Sequence, residues 1–192
     1  MAERAQKIWS YRLLLLVLVS IVAFVMLLPL GSRAGGIPGP DVVLLIVFAW
    51  IIMRPDFVPL LLAAGIFLAA DLLFMRPIGL WAALSVIGAE FIRSLRFQLL
   101  DATFLFEWLL VVTVVATMTL VNALVLAMLA IDQPNLGLIL IRLIFTAITY
   151  PIVVILAGRA FGVRKLSSAE LDRMGQRLRS GFKKKLKRRH NS

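Results

Sequence analysis

Apolar residues fall in six runs along the chain, at 13–30, 42–53, 57–75, 80–92, 104–131 and 136–157, each continuous rather than alternating. A helix half in water shows a polar face, so continuous runs of this kind predict helices surrounded by protein or lipid. The breaks between them are chemically distinct. After Leu30 the segment GSRAGGIPGPD has four glycines and two prolines in eleven residues, which predicts an exposed loop. Arg54-Pro55-Asp56 and Arg76-Pro77-Ile78-Gly79 predict tight turns, and Asp132-Gln133-Pro134-Asn135 predicts a turn that ends a helix. Residues 97–103 are expected to run along the membrane interface. The run over 42–53 makes only about 18 Å of helix, short for a bilayer core unless the flanking chain extends it.

Composition turns these helices into membrane helices. The 192 residues are 61% hydrophobic with a mean hydropathy of +0.98, far above a soluble domain. The expected fold is therefore an all-α integral membrane protein: a six-span membrane domain over 1–160 and a basic cytoplasmic tail over 161–192. The first run has a basic flank, as a signal peptide does, but lacks a convincing small-residue cleavage site and reads as a retained anchor. Trp9 and Tyr11 stand where an aromatic belt would meet the headgroups.

The net charge of +11 belongs largely to the tail, because 12 of the 21 basic residues lie between Arg159 and Arg189. With both ends cytoplasmic, 18 basic residues lie inside and two, Arg33 and Arg76, outside, in accord with the positive-inside rule. The expected location is thus a multi-pass protein with both termini in the cytoplasm.

Ionisable residues inside apolar runs are costly and usually have partners. Asp71 lies about four residues from the outer end of its helix and Arg142 about six, so their depths differ by only about 3 Å. They are expected to pair or share water, which would decide which helices are neighbours. The alternative is that Arg142 snorkels to the headgroups and Asp71 bonds locally. Glu90 and Glu107 fall near the inner ends of adjacent runs beside Arg93 and Arg96, where interfacial salt bridges are expected. Asn122 is expected to hydrogen-bond across helices at roughly 1 kcal/mol. Gly65 and Ala69, and likewise Ser85 and Ala89, have the spacing that lets membrane helices approach closely, although small residues are common in apolar helices anyway.

In the tail, Ser167 and Glu170 have capping-box spacing, and Leu171, Met174, Leu178, Phe182 and Leu186 recur every three or four residues. An amphipathic helix is expected there, its basic face on anionic lipid, with Lys183, Lys184, Lys185, Lys187, Arg188 and Arg189 densest near its end. Held at the bilayer, it is not expected to bind nucleic acid; an acidic partner or a solvated tail are the other readings. No catalytic, cofactor or metal constellation is expected: cysteine is absent, the sole histidine is His190, and no Gly-rich phosphate loop occurs.

Certain residues also form an ordered pattern: Pro40-Asp41 before a short run with Trp50, then Pro55, Gly65, Asp71-Leu72, Pro77, Gly79 and finally Tyr150-Pro151. Over about residues 8–160 this resembles the rod shape-determining MreD family. The resemblance implies a non-enzymatic subunit of the bacterial cell-elongation complex in the inner membrane, which helps maintain cell shape and direct peptidoglycan synthesis. It implies direct binding of MreC, with MreB, RodA and a penicillin-binding transpeptidase in the same complex, and is compatible with a homodimer. The family is similar in fold to the substrate-binding S components of energy-coupling-factor transporters, so the alternative is a subunit that binds a vitamin or another small molecule. Outer loops poor in aromatic and polar groups favour the scaffold.

Overall fold

Asp41 stands directly before the most apolar of the short runs, and that boundary organises the bundle. In the computed structural model, which describes residues 2–28, 39–100, 102–131 and 135–160, Val42–Met53 forms a 12-residue helix, here α2, with Asp41 as its N-cap. Val43 through Met53 are all buried, as a helix apolar on every face requires. Around it stand α1 (Ala2–Leu27), α3 (Leu60–Leu73), α4 (Leu80–Ser94), α6 (Phe104–Met128) and α7 (Leu136–Ala160), while α5 (Arg96–Leu100) is a short linking helix. A single 3-10 turn, Pro55–Phe57, joins α2 to α3. No strand occurs among the described residues.

The helix α2 packs against α1, α3, α4 and α7; α4 packs against α3 and α6, and α6 against α7. Contacts between helix ends establish direction. The start of α2 meets the start of α4 and the first turns of α7, whereas Tyr11 in α1 stacks on Phe57 beyond the end of α2 at 4.6 Å. Successive long elements therefore run alternately up and down. Tyr11 also lies edge-on to Trp50 at 6.4 Å, so it ties α1 to the core, where an interfacial belt was expected.

Among the described residues, three helices are long and apolar enough to cross a membrane: Ile8–Leu27, Phe104–Met128 and Leu136–Gly158. Only 11%, 28% and 17% of their apolar windows are buried inside the molecule, so most of that surface faces outward. The other members are shorter, α3 having 14 residues and α4 having 15.

Of the two small-residue pairs, one lies at a helix contact. Ser85 and Ala89 are fully buried, and with Trp81, Ala82, Gly88 and Ile92 they form the inward stripe of α4. Gly65 and Ala69 lie on an exposed face of α3, and a Cβ at Gly65 would meet nothing within 4 Å. Spacing alone could not separate the two, because both satisfy the same pattern and only the bundle decides which face is inside.

Pro151 lies within α7 and has no N–H for the carbonyl four residues earlier. That carbonyl, on Ala147, accepts instead from Trp108 Nε1 of α6 at 2.9 Å. Lipid could not have satisfied it, so the proline and the tryptophan act together as a link between α6 and α7.

Candidate functional site

The first turn of α2 is enclosed by the bundle, with Val43, Leu44 and Leu45 each 1% exposed, so the cap for its free N–H groups must come from the protein. Asp41, 5% exposed, supplies it: Oδ1 accepts from Leu44 N at 3.4 Å. Its other oxygen, Oδ2, gathers donors from three places. Arg76 Nη1 donates at 2.9 Å from the α3–α4 turn, Trp81 Nε1 at 3.1 Å from the first turn of α4, and Arg142 Nη2 at 2.9 Å from α7. Both guanidinium carbons lie within cation–π range of the Trp81 ring, at 5.7 Å for Arg76 and 5.6 Å for Arg142. Thr146 completes the cluster. Its hydroxyl donates to the Arg142 carbonyl at 2.7 Å and accepts from Asp41 N at 3.2 Å.

The expected Asp71–Arg142 pair is thus not formed. Arg142 pairs with Asp41, and Asp71, wholly buried, caps α4 from α3: Oδ2 accepts from Gly79 N at 3.1 Å and Ala82 N at 2.9 Å. The N-cap residue of α4 is Gly79, held at φ +89°, where glycine is favoured and no side chain is present to cap. A carboxylate from the preceding helix takes that role and also faces the positive end of the helix dipole. Both residues lie toward the end of the bundle where α4 begins, but azimuth, which chooses partners, is invisible in the linear count.

Asp71→Ala is expected to destabilise the bundle by about 2 kcal/mol by stranding the buried Ala82 N–H and the part-buried Gly79 N–H, and Asp71→Asn by less, because its amide oxygen still accepts. Thermal melting in detergent measures the difference. Equal losses for the two variants would remove the capping role.

The remaining expected site residues are dispersed. Glu90 pairs with Arg93 at 2.9 Å, and Arg93 Nη2 donates to the Val58 carbonyl, closing the end of the bundle away from Asp41. Glu107 is buried between helices: Tyr150 Oη donates to its Oε1 at 2.7 Å, linking α6 and α7. Trp50 is fully buried in the core, Pro55 opens the 3-10 turn, and Pro77 lies in the turn after α3. The basic tail, including Lys183, Lys184, Lys185, Lys187, Arg188 and Arg189, lies outside the described residues.

Asn122 lines a cavity instead of bridging helices through a side-chain bond. The cavity, about 890 Å³, lies beside the Asp41 cluster and is walled by α6, α7 and the turn before α4. Arg76, Arg142, Trp81, Thr119, Asn122 and Thr146 supply its polar lining, and Leu126, Leu138 and Ile139 are among its apolar walls. Sequence reading found Arg142 and Asn122 but missed Asp41, Arg76, Trp81 and Thr146 as a site. One signal was present: an aspartate immediately before an apolar run is an N-cap, and a capped carboxylate next to a run of Val and Leu is a buried one.

Comparison with protein-family models, with curated proteins and with solved structures finds no match to this chain. Its fold defines it by class: the described residues are all-helical, with three helices long and apolar enough to cross a membrane, an architecture compatible with a membrane protein.

Proposed function

We propose that this chain is a non-enzymatic scaffold subunit of the MreD type, crossing the bacterial inner membrane six times with both termini in the cytoplasm. In this reading it binds MreC and belongs with MreB, RodA and a penicillin-binding transpeptidase to the machinery of cell elongation. The observation that supports it most directly is how the buried carboxylates are used. Asp41 joins α2 to α4 and α7, Asp71 joins α3 to α4, and Glu107 joins α6 to α7. Each holds helices in place, as a rigid platform for other membrane proteins needs.

The platform also has an unused lateral surface. Leu140, Ile144, Ile148 and Ile152 form an outward row along α7, each 55–58% exposed. Such a row suits lipid or the single span of a partner. Tagged MreC is expected to copurify with the wild-type chain, and changing this row to alanine, or the equivalent outward rows of α1 and α6, is expected to weaken recovery. Failure of the wild-type chain to bring down MreC removes the proposal.

The cavity favours a second reading, a small-molecule-binding subunit like the S component of a vitamin transporter. Loops were the wrong place to look for a polar lining, because the helices and the turn before α4 carry it. A vitamin held through purification, with saturable thermal stabilisation, would favour this reading over the scaffold.

A further inference from the structure

The Asp41 cluster contains two guanidinium groups and one carboxylate, so it holds an excess positive charge at the wall of an otherwise mostly apolar cavity. Such an excess is costly where water is scarce. Among the described residues, the other acid at this end, Asp71, is turned to the N-terminus of α4. Asp41 engages Nη1 of Arg76 and Nη2 of Arg142, and each guanidinium has five N–H donors in all. The side chains remain 20% and 34% exposed, and both line the cavity. The cluster therefore presents two partly unused forks, braced from behind by a carboxylate and an indole.

The cavity is far larger than a bare anion needs, and its volume of about 890 Å³ suits a ligand with a body. Beyond the arginines that body would meet Leu126, Leu138 and Ile139, with Thr119 and Asn122 for secondary hydrogen bonds. We infer that this cavity binds a singly charged phosphodiester with an apolar body, the phosphate held between Arg76 and Arg142 and the body against α6 and α7. The phosphate can come from the headgroup of an anionic membrane lipid or from a water-soluble diester. The inference does not depend on the scaffold reading, since loss of MreC from a pull-down leaves binding of the anion intact.

The test uses the full chain in a neutral detergent, with binding followed by thermal melting and by native mass spectrometry. The probes are short-chain phosphatidylglycerol, short-chain phosphatidylcholine as the zwitterionic control, and dibutyl phosphate as the soluble diester. Saturable stabilisation by phosphatidylglycerol and not by phosphatidylcholine is expected. Saturation by dibutyl phosphate as well would extend the site to soluble diesters, and its failure would assign the site to lipid. Asn122→Phe from α6 and Leu138→Trp from α7 fill the cavity without touching the Asp41 cluster, and each is expected to weaken binding about ten-fold or more. Arg142→Lys, which keeps the charge facing Asp41 but loses the fork, is expected to weaken it several-fold. Equal binding of the two lipids, or unchanged phosphatidylglycerol binding when the cavity is filled from either helix, would place the lipid on the outer surface and overturn the inference.

Discussion

Asp41→Ala is expected to be the most damaging single substitution in the protein, destabilising it by about 3 kcal/mol or more. The change strands Arg76 and Arg142 against a largely apolar wall, releases Trp81 Nε1 and uncaps the first turn of α2. Partial exposure of the two arginines keeps the loss near the lower end of what a broken buried pair causes. Thermal melting in detergent, checked by the fraction of monodisperse protein, measures it. Asp41→Asn keeps a cap but not the charge and is expected to lie between. Combining Asp41→Asn with Arg142→Gln is expected to recover part of the loss, because one stranded cation goes with its partner. A double variant as unstable as the sum of the singles would show that the ion pair does not couple α2 to α7.

The second large effect is expected at Gly88, where three helices come closest. A Cβ there would lie 2.8 Å from Met118 Sδ, 3.0 Å from Val114 Cγ1 and 3.2 Å from Phe48 Cζ. Gly88→Ala is expected to destabilise by about 1 kcal/mol, since the Met118 side chain can shift. Gly88→Leu has no such escape and is expected to reach or exceed the upper end of the roughly 1–3 kcal/mol typical of overpacking, as α4 is forced away from α2 and α6. Gly65→Ala is the control, because nothing lies within 4 Å of that position. If Gly88→Leu melts with Gly65→Ala, the close approach of α4 is not what holds this bundle together. Rescue of Gly88→Ala by Met118→Ala would locate the strain in that one contact.

The helices themselves were largely legible. The limits of α2, Val42 and Met53, are the limits of its apolar run, and α4 and α7 begin where the runs begin, because a charge, proline or glycine interrupts each run. The candidate site was legible only in part. Arg142 stands out as a cation in an apolar run, but Arg76 and Asp41 sit at breaks between runs, where a charge attracts no notice. They stand out once Asp41 is seen to be buried with Arg76 against it, and that burial follows from α2 being short and enclosed, which no local window displays. Glu107 shows the same limit. Its nearest basic residues in sequence suggest a salt bridge, while the Tyr150 hydroxyl, 43 positions away, also donates to it.

Taken alone, the order of residues determined that this chain is helical, where its helices break, and that several of them are apolar throughout. These properties depend on neighbours within a turn or two, which periodicity records. Only the tertiary structure decided that Asp41 and not Asp71 answers Arg142, that Gly88 and not Gly65 meets another helix, and that a cavity opens beside two arginines. Rotation of each helix about its axis decides such matters, and rotation is selected by simultaneous packing of residues drawn from the whole chain.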